Sequence, residues 1–137
     1  MAALDKKVIR SFEDLEVYKM ARNLSDHVGQ LIKKLPGVEE YNLKHQMRRA
    51  KLSMTNNIAE GFGRYHYQEN IQFCRESRGS ICELIDDFIE FYASGYTDEN
   101  KTDELKSEAY HLIKCLNAYI ASIKRQKARD VSAAKTA

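Results

Sequence analysis

The chain has 137 residues, 43% hydrophobic and 31% charged, with a net charge of +2. That length holds one domain, and the apolar fraction is too high for a disordered chain. One proline and six glycines are too few for a loop-rich or all-β protein, so helices carry the fold.

Ser11 is placed to cap a first helix, with Asp14 three residues later. Leu15, Tyr18, Ala21, Leu24, Val28, Leu31 and Leu35 then recur every three or four residues, which puts them on one helix face. Pro36 and Gly37 end that helix. A second helix starts near Asn42, with Leu43, Met47, Ala50, Met54, Ile58 and Phe62 as its stripe and Gly61 and Gly63 as its close. A third starts near Tyr67 or Gln68. Its seam of Ile71, Cys74, Ile81, Ile85, Phe88 and Tyr92 is interrupted by Arg78. Gly95 stops it. The fourth is capped by Thr97 or Asp98 and carries Leu105, Ala109, Leu112, Leu116, Tyr119 or Ile120, and Ile123.

These elements predict an all-α chain folded as an antiparallel up-down-up-down four-helix bundle, because short connections make sequential helices antiparallel neighbours. Residues 1–10 read as an N-terminal arm, 11–127 as the bundle and 128–137 as a disordered polar tail. Phe73, Leu84, Ile89 and Phe91 widen the third stripe. Either a broad core face or self-association would cover them.

No apolar run spans a bilayer, and the first ten residues lack a signal-peptide core. The expected location is the cytosol, without membrane contact. Cys74, Cys82 and Cys115 lack Cys-x-x-Cys spacing and read as buried, reduced thiols.

Charge is unevenly placed. Residues 83–108 hold nine acidic and two basic side chains, and residues 124–137 hold five basic and one acidic. In the predicted topology Glu39 and Glu40 join the acidic end, and Lys6, Lys7, Arg10, Arg64, Arg75, Lys124, Arg125, Lys127 and Arg129 gather at the other. Two readings compete: helix-dipole complementation, which accounts for the fourth helix but not for Arg75, Lys6, Lys7 or Arg10, and a basic pole that attracts phosphate. A second basic cluster, Lys44, Arg48, Arg49 and Lys51, lies on the second helix. Arg49 falls instead on a polar stripe with Gln46, Ser53, Asn57, Glu60 and Arg64, which suits packing or assembly ahead of RNA contact. Ion pairs from Arg49 to Glu60 or Glu83 are one way to use it.

Asn56 and Asn57 are poor helix formers, and their amides are expected to bond to another helix or a backbone group. Gly79 inside the third helix costs about 1 kcal/mol relative to Ala and suggests close helix approach. Gly29 in the first helix either does the same or sits on the surface. The four histidines make no i, i+4 pair and no His-Glu-x-x-His. Gly61 to Arg64 lacks the Lys-Ser/Thr of a phosphate loop. No Gly-x-Ser-x-Gly surrounds Ser53 or Ser80. No catalytic residue, metal or cofactor is expected.

Ser11 to Tyr18 resembles the opening motif of the 23S rRNA-intervening sequence protein family. Gln46 to Ala50 and Ser53 to Gly61 resemble its central signature. Arg64, Glu69, Phe73, Arg78-Gly79-Ser80 and Glu83 are similar to its third-helix pattern, so the likeness runs from Ser11 to Ile123. Tyr18 stands where that family often has Trp, and Cys74 where it has an aliphatic residue. The resemblance implies an antiparallel four-helix bundle, a homopentameric ring and an association with ribosomal RNA, with no catalytic residues. Arg78, Gly79, Ser80 and Glu83, with Arg49, Asn56, Asn57 and Glu60, are then structural or assembly positions. Lys44, Arg48, Lys51, Arg64, Arg75, Lys124, Arg125 and Lys127 are the nucleic-acid candidates. A related branch, the accessory proteins of diversity-generating retroelements, implies a second possibility: a scaffold whose partner is a reverse transcriptase.

Overall fold

The computed structural model describes residues 8–136. Among them there are four α-helices and no strand: α1 Glu16–Lys34, α2 Leu43–Phe62, α3 Tyr67–Ala93 and α4 Glu99–Thr136. Lys6 and Lys7, and most of the expected N-terminal arm, lie outside the described residues.

The first helix departs from the expected start. Ser11 does form a reciprocal capping box with Asp14, but it caps a short 3-10 turn, Phe12–Asp14. Leu15 then adopts an extended backbone, and α1 begins at Glu16. The extra bend lets Phe12 fold back edge-on to Tyr18, ring centroids 4.9 Å apart, while Leu15 enters the core. At the other end of the chain Asp98 caps α4, its carboxylate accepting from the Lys101 amide at 2.7 Å. Gly95, at φ +80°, makes the turn between α3 and α4.

The apolar stripes face one another. Leu24, Val28, Met47, Met54, Ile58, Ile81, Leu84, Phe88, Phe91, Leu112 and Leu116 are fully buried. Each such side chain contributes about 1.5–3 kcal/mol by leaving water. Ile120, not Tyr119, is the buried alternative on α4. The broad stripe on α3 divides: Leu84 and Phe91 are core, whereas Ile89 and Tyr92 are exposed. Helix neighbours are α1 with α2, α2 with α3, α3 with α4, and α1 with α4.

α2 and α3 approach closely, and the residue that permits it is Gly61. A Cβ there would meet Asn70 Oδ1 at 2.7 Å and Phe73 Cβ at 2.9 Å. Gly79, expected to serve this purpose, is exposed with nothing near its Cβ position, and Gly29 is similarly open. The reason is register. Gly61 continues the Met47, Ala50, Met54, Ile58 stripe, whereas Gly79 lies off the buried Ser77, Ile81, Leu84 face.

Two further expectations change. Residues 128–136 do not leave the helix: α4 runs unbroken to Thr136, though every described side chain after Ile123 is exposed. No Gly or Pro follows Gly95, and Ala, Lys, Arg and Gln are strong helix formers, so local propensity carries the helix past the core. Of the cysteines, Cys74 is buried and Cys115 half-buried, but Cys82 is exposed. Burial pushes the Cys74 thiol up to about 11, which keeps it protonated.

Candidate nucleic-acid interface

Contacts between helices sort the charged residues into two ends. At one end Gly61 abuts Asn70. Tyr67, the first residue of α3, donates its hydroxyl hydrogen bond to Asp130 near the end of α4. Phe12 shares a cleft with Asn56, Glu60 and Arg64. The start of α1, the end of α2, the start of α3 and the end of α4 therefore meet. At the other end the Tyr96 hydroxyl donates to Glu39 at 3.0 Å, bringing the connection after α1 to the connection before α4.

The basic candidates differ in what holds them. Glu40 pairs with Lys44 Nζ at 3.0 Å and with the Arg48 guanidinium at 2.9 Å. These hydrogen bonds, Arg48's first, hold the Glu40 carboxyl below its ordinary range. Lys44 and Arg48 thus serve the acidic end, where they offset Glu40. Arg64 is also engaged. It donates to Glu60 at 2.6 Å, lies 3.8 Å from Glu69 and stacks 5.0 Å over the Phe73 ring. Its position braces the α2–α3 corner.

Lys51, Arg75, Lys124, Arg125 and Lys127 make no ion pair among the described residues. Lys51 is half-buried on α2, and Arg75 is exposed on α3. Lys124, Arg125 and Lys127 stand with Arg129 and Lys135 on the exposed last turns of α4. At about 1.5 Å per residue, the stretch after Ile123 extends this basic rod by roughly 20 Å. Asp130 is the single acid on it, and it is occupied by Tyr67 and by Gln126, 3.3 Å away.

Of the positions assigned to structure, Ser80 and Arg78 reach a neighbouring helix, Asn57 bonds within α2, and Gly79 and Glu83 are exposed. Asn57 donates to the Ser53 carbonyl at 2.8 Å and to Ser53 Oγ at 3.0 Å, within its own helix. Asn56 faces the cleft beside Phe12. Ser80 bridges to Ser53 Oγ at 2.8 Å. Arg78 leaves the α3 seam to donate to Asn117 on α4 at 2.6 Å. Arg49 forms no ion pair with Glu60 or Glu83. Glu60 is taken by Arg64, and the charge of Arg49 acts instead on Asp87.

Two residues that the pattern reading passed over are Ser77 and Asp87. Ser77 is fully buried and donates to the Met54 carbonyl at 2.7 Å, tying α3 to the backbone of α2. Its place between Cys74 and Ile81 on the α3 seam was the available signal. Asp87 is 7% exposed, and its Oδ2 has no hydrogen-bond partner. Burial, then the charges of Asp86 and Glu83, raise its carboxyl to about 7 against the opposing pull of Arg49.

No Glu-x-x-His is expected of this chain, yet one is present, Glu108 to His111. It does not gather a metal site: Glu108 lies 2.7 Å from His27 Nδ1 on α1, and among the described residues no group of three His, Cys, Asp or Glu side chains could hold an ion. Among the same residues no helix is long and apolar enough to cross a membrane.

Residues 13–118 match the family model described as 23S rRNA-intervening sequence protein. No curated protein matches the chain. The matched span covers α1, α2, α3 and α4 as far as Ala118, and stops short of the buried Ile120 and Ile123 and of the basic extension.

Proposed function

This chain belongs to the 23S rRNA-intervening sequence protein family, and on that premise we propose a non-enzymatic, cytoplasmic bundle protein that binds RNA through its basic end. The observation that carries the reading is the exposed extension of α4. Lys124, Arg125, Lys127, Arg129 and Lys135 project there without carboxylate partners, while Lys44 and Arg48 are drawn off by Glu40. Such an array contacts phosphates in a way that depends on charge and little on sequence, because each neutralised phosphate releases counterions. The cross-helix pairs described above support an antiparallel order, which is what brings Arg75 to the same end.

The test is filter binding of the purified protein to ribosomal RNA fragments across salt. Affinity should fall steeply and linearly on logarithmic axes. Lys124→Glu with Lys127→Glu should flatten the slope, and Lys44→Glu should leave it nearly unchanged. Absence of binding at low salt, or binding indifferent to salt, rejects the reading.

Self-association into a homo-oligomer, a pentamer by family likeness, is part of the same proposal. Exposed Leu52, Ile89, Tyr92 and Tyr110 support it, since bare apolar surface on a helical bundle invites cover. Sedimentation that returns only monomer at micromolar concentration removes this part. The same apolar residues favour the second reading, a scaffold for a protein partner such as a reverse transcriptase. A gene placed within a retroelement cassette, rather than in a ribosomal RNA insertion, would favour it.

A further inference from the structure

The turn between α2 and α3 carries an aromatic side chain that the fold does not use. Tyr65 is 99% exposed and packs against no part of the core, unlike Tyr67 two residues on. Beside it lies a groove of about 640 Å³ between residues 65–69 and the α4 extension, where Lys127, Val131 and Ala134 form the far wall. Through Gln68, Lys127 and Val131 it continues into a second hollow floored by Ile71 and Ala128, with Lys124 at its edge. Positions 124, 127, 128 and 131 share one face of α4, so an apolar floor and two ammonium groups are presented together.

The acids in the groove are already engaged: Glu69 lies beside Arg64, and Asp130 accepts from Tyr67. Lys124 and Lys127 have no ion pair among the described residues. The groove thus offers an open ring at its mouth, an apolar floor and unpaired positive charge along one wall. An unpaired ribonucleotide matches all three, because it presents a π-face, a sugar and flanking phosphates. A duplex does not, since its bases are stacked on one another and cannot face Tyr65.

We propose that this groove binds single-stranded RNA, with one unpaired base stacked on Tyr65 and the adjacent phosphates held by Lys124 and Lys127. The proposal rests on the RNA reading above and narrows it from phosphate charge to strand state.

Tyr65→Trp tests it directly, because the chain contains no other Trp. Emission is followed while short oligouridylate, short oligoadenylate or an RNA duplex of equal phosphate number is added at low salt, with filter binding on the same samples. Single strands should quench the Trp and the duplex should not. Tyr65→Ala should weaken single-strand binding by about 5- to 100-fold and leave duplex binding within about twofold, and Tyr65→Phe should restore it. Lys124→Ala with Lys127→Ala should weaken both RNAs and reduce the single-strand salt slope by about 1.4. If Tyr65→Ala binds single strands as the parent does while the lysine pair loses affinity, the groove is not the site and the RNA reading survives. If no RNA binds at low salt, both fall. A change in Trp emission that tracks protein concentration without RNA identifies a second copy as the occupant and overturns the proposal. Tyr65 is wholly exposed, so helicity by circular dichroism should match the parent in every variant.

Discussion

The α2–α3 seam and the extension of α4 are built on opposite terms. At the seam the backbones approach until only a glycine fits, and the Ser77, Ser80 and Asn57 side chains each find a partner at 3.0 Å or less. After Ile123 nothing on α4 is buried, and the helix persists on propensity with its basic side chains in water. Polar groups at the seam are spent on folding, whereas those on the extension remain available to a ligand. Residue type alone does not separate the two: Arg64 and Lys124 are both exposed cations near one end of the molecule, yet only Arg64 is locked between carboxylates.

The largest effect should come from closing the seam's narrowest point. Gly61→Ala sets a methyl within 3 Å of Asn70 Oδ1 and of the Phe73 Cβ. The second of these sits on the α3 backbone and cannot swing away. Chemical denaturation should show a loss of about 3 kcal/mol, at the upper end for overpacking. Wild-type stability would show that α2 and α3 are not held this closely in solution, and the seam would lose its contrast with the extension.

Asp87 is the seam's exception, a buried carboxylate with one oxygen unpartnered. Its carboxyl titrates near 7 in the folded chain against an ordinary 3.8, so between those values the folded state holds the extra proton. Stability should fall as pH rises from about 4 to 7 and stay lower above. Asp87→Asn should therefore gain about 2 kcal/mol at pH 8, roughly half the ceiling set by the shift, and gain little at pH 4. Thermal melts at the two pH values check it; equal gains at both would mean that ionisation is not the cause.

How far these features could be read in advance depends on whether the deciding physics is local. The four helices and their core were legible because hydrophobic period is local, and Leu24, Met54, Ile81 and Leu116 all fall where the stripes put them. The partner of a charge is not local. Sequence spacing offers Arg49 a partner in Glu60 or Glu83, but Glu60 turns to Arg64 four residues away, where the helix brings them side by side. Lys44 and Arg48 looked like a free basic face until the chain entering α2 placed Glu40 across both. The role of a glycine was half legible. Gly61 lay on the α2 stripe and could have been chosen for that reason, while Gly79 drew attention only by being inside a helix.

Gly79 sharpens the comparison from the other side. It costs α3 helix stability and relieves no crowding within the chain, since nothing lies within 4 Å of its Cβ position. In dilute protein, Gly79→Ala should raise stability by about 1 kcal/mol. If subunits pack over this bare stretch, the same variant should also weaken assembly in sedimentation. A stabilised chain that assembles unchanged would place the contact on another face.

The smallest effect on stability should come from the largest excision. Ending the chain at Ile123 removes every residue beyond the core, including the Tyr67–Asp130 hydrogen bond. Because the removed side chains are exposed, the loss should be about 0.5 kcal/mol or less. The same cut deletes five of the 22 basic residues, and RNA affinity at low salt should drop by orders of magnitude as the salt slope collapses. Denaturation and filter binding on one preparation separate the outcomes. A stability loss of several kcal/mol would make the extension part of the fold. Retained RNA binding would move the interface to Lys51 and Arg75 on α2 and α3. Only a chain that stays folded and lets go of RNA fits a helix that belongs to the core as far as Ile123 and to the ligand beyond it.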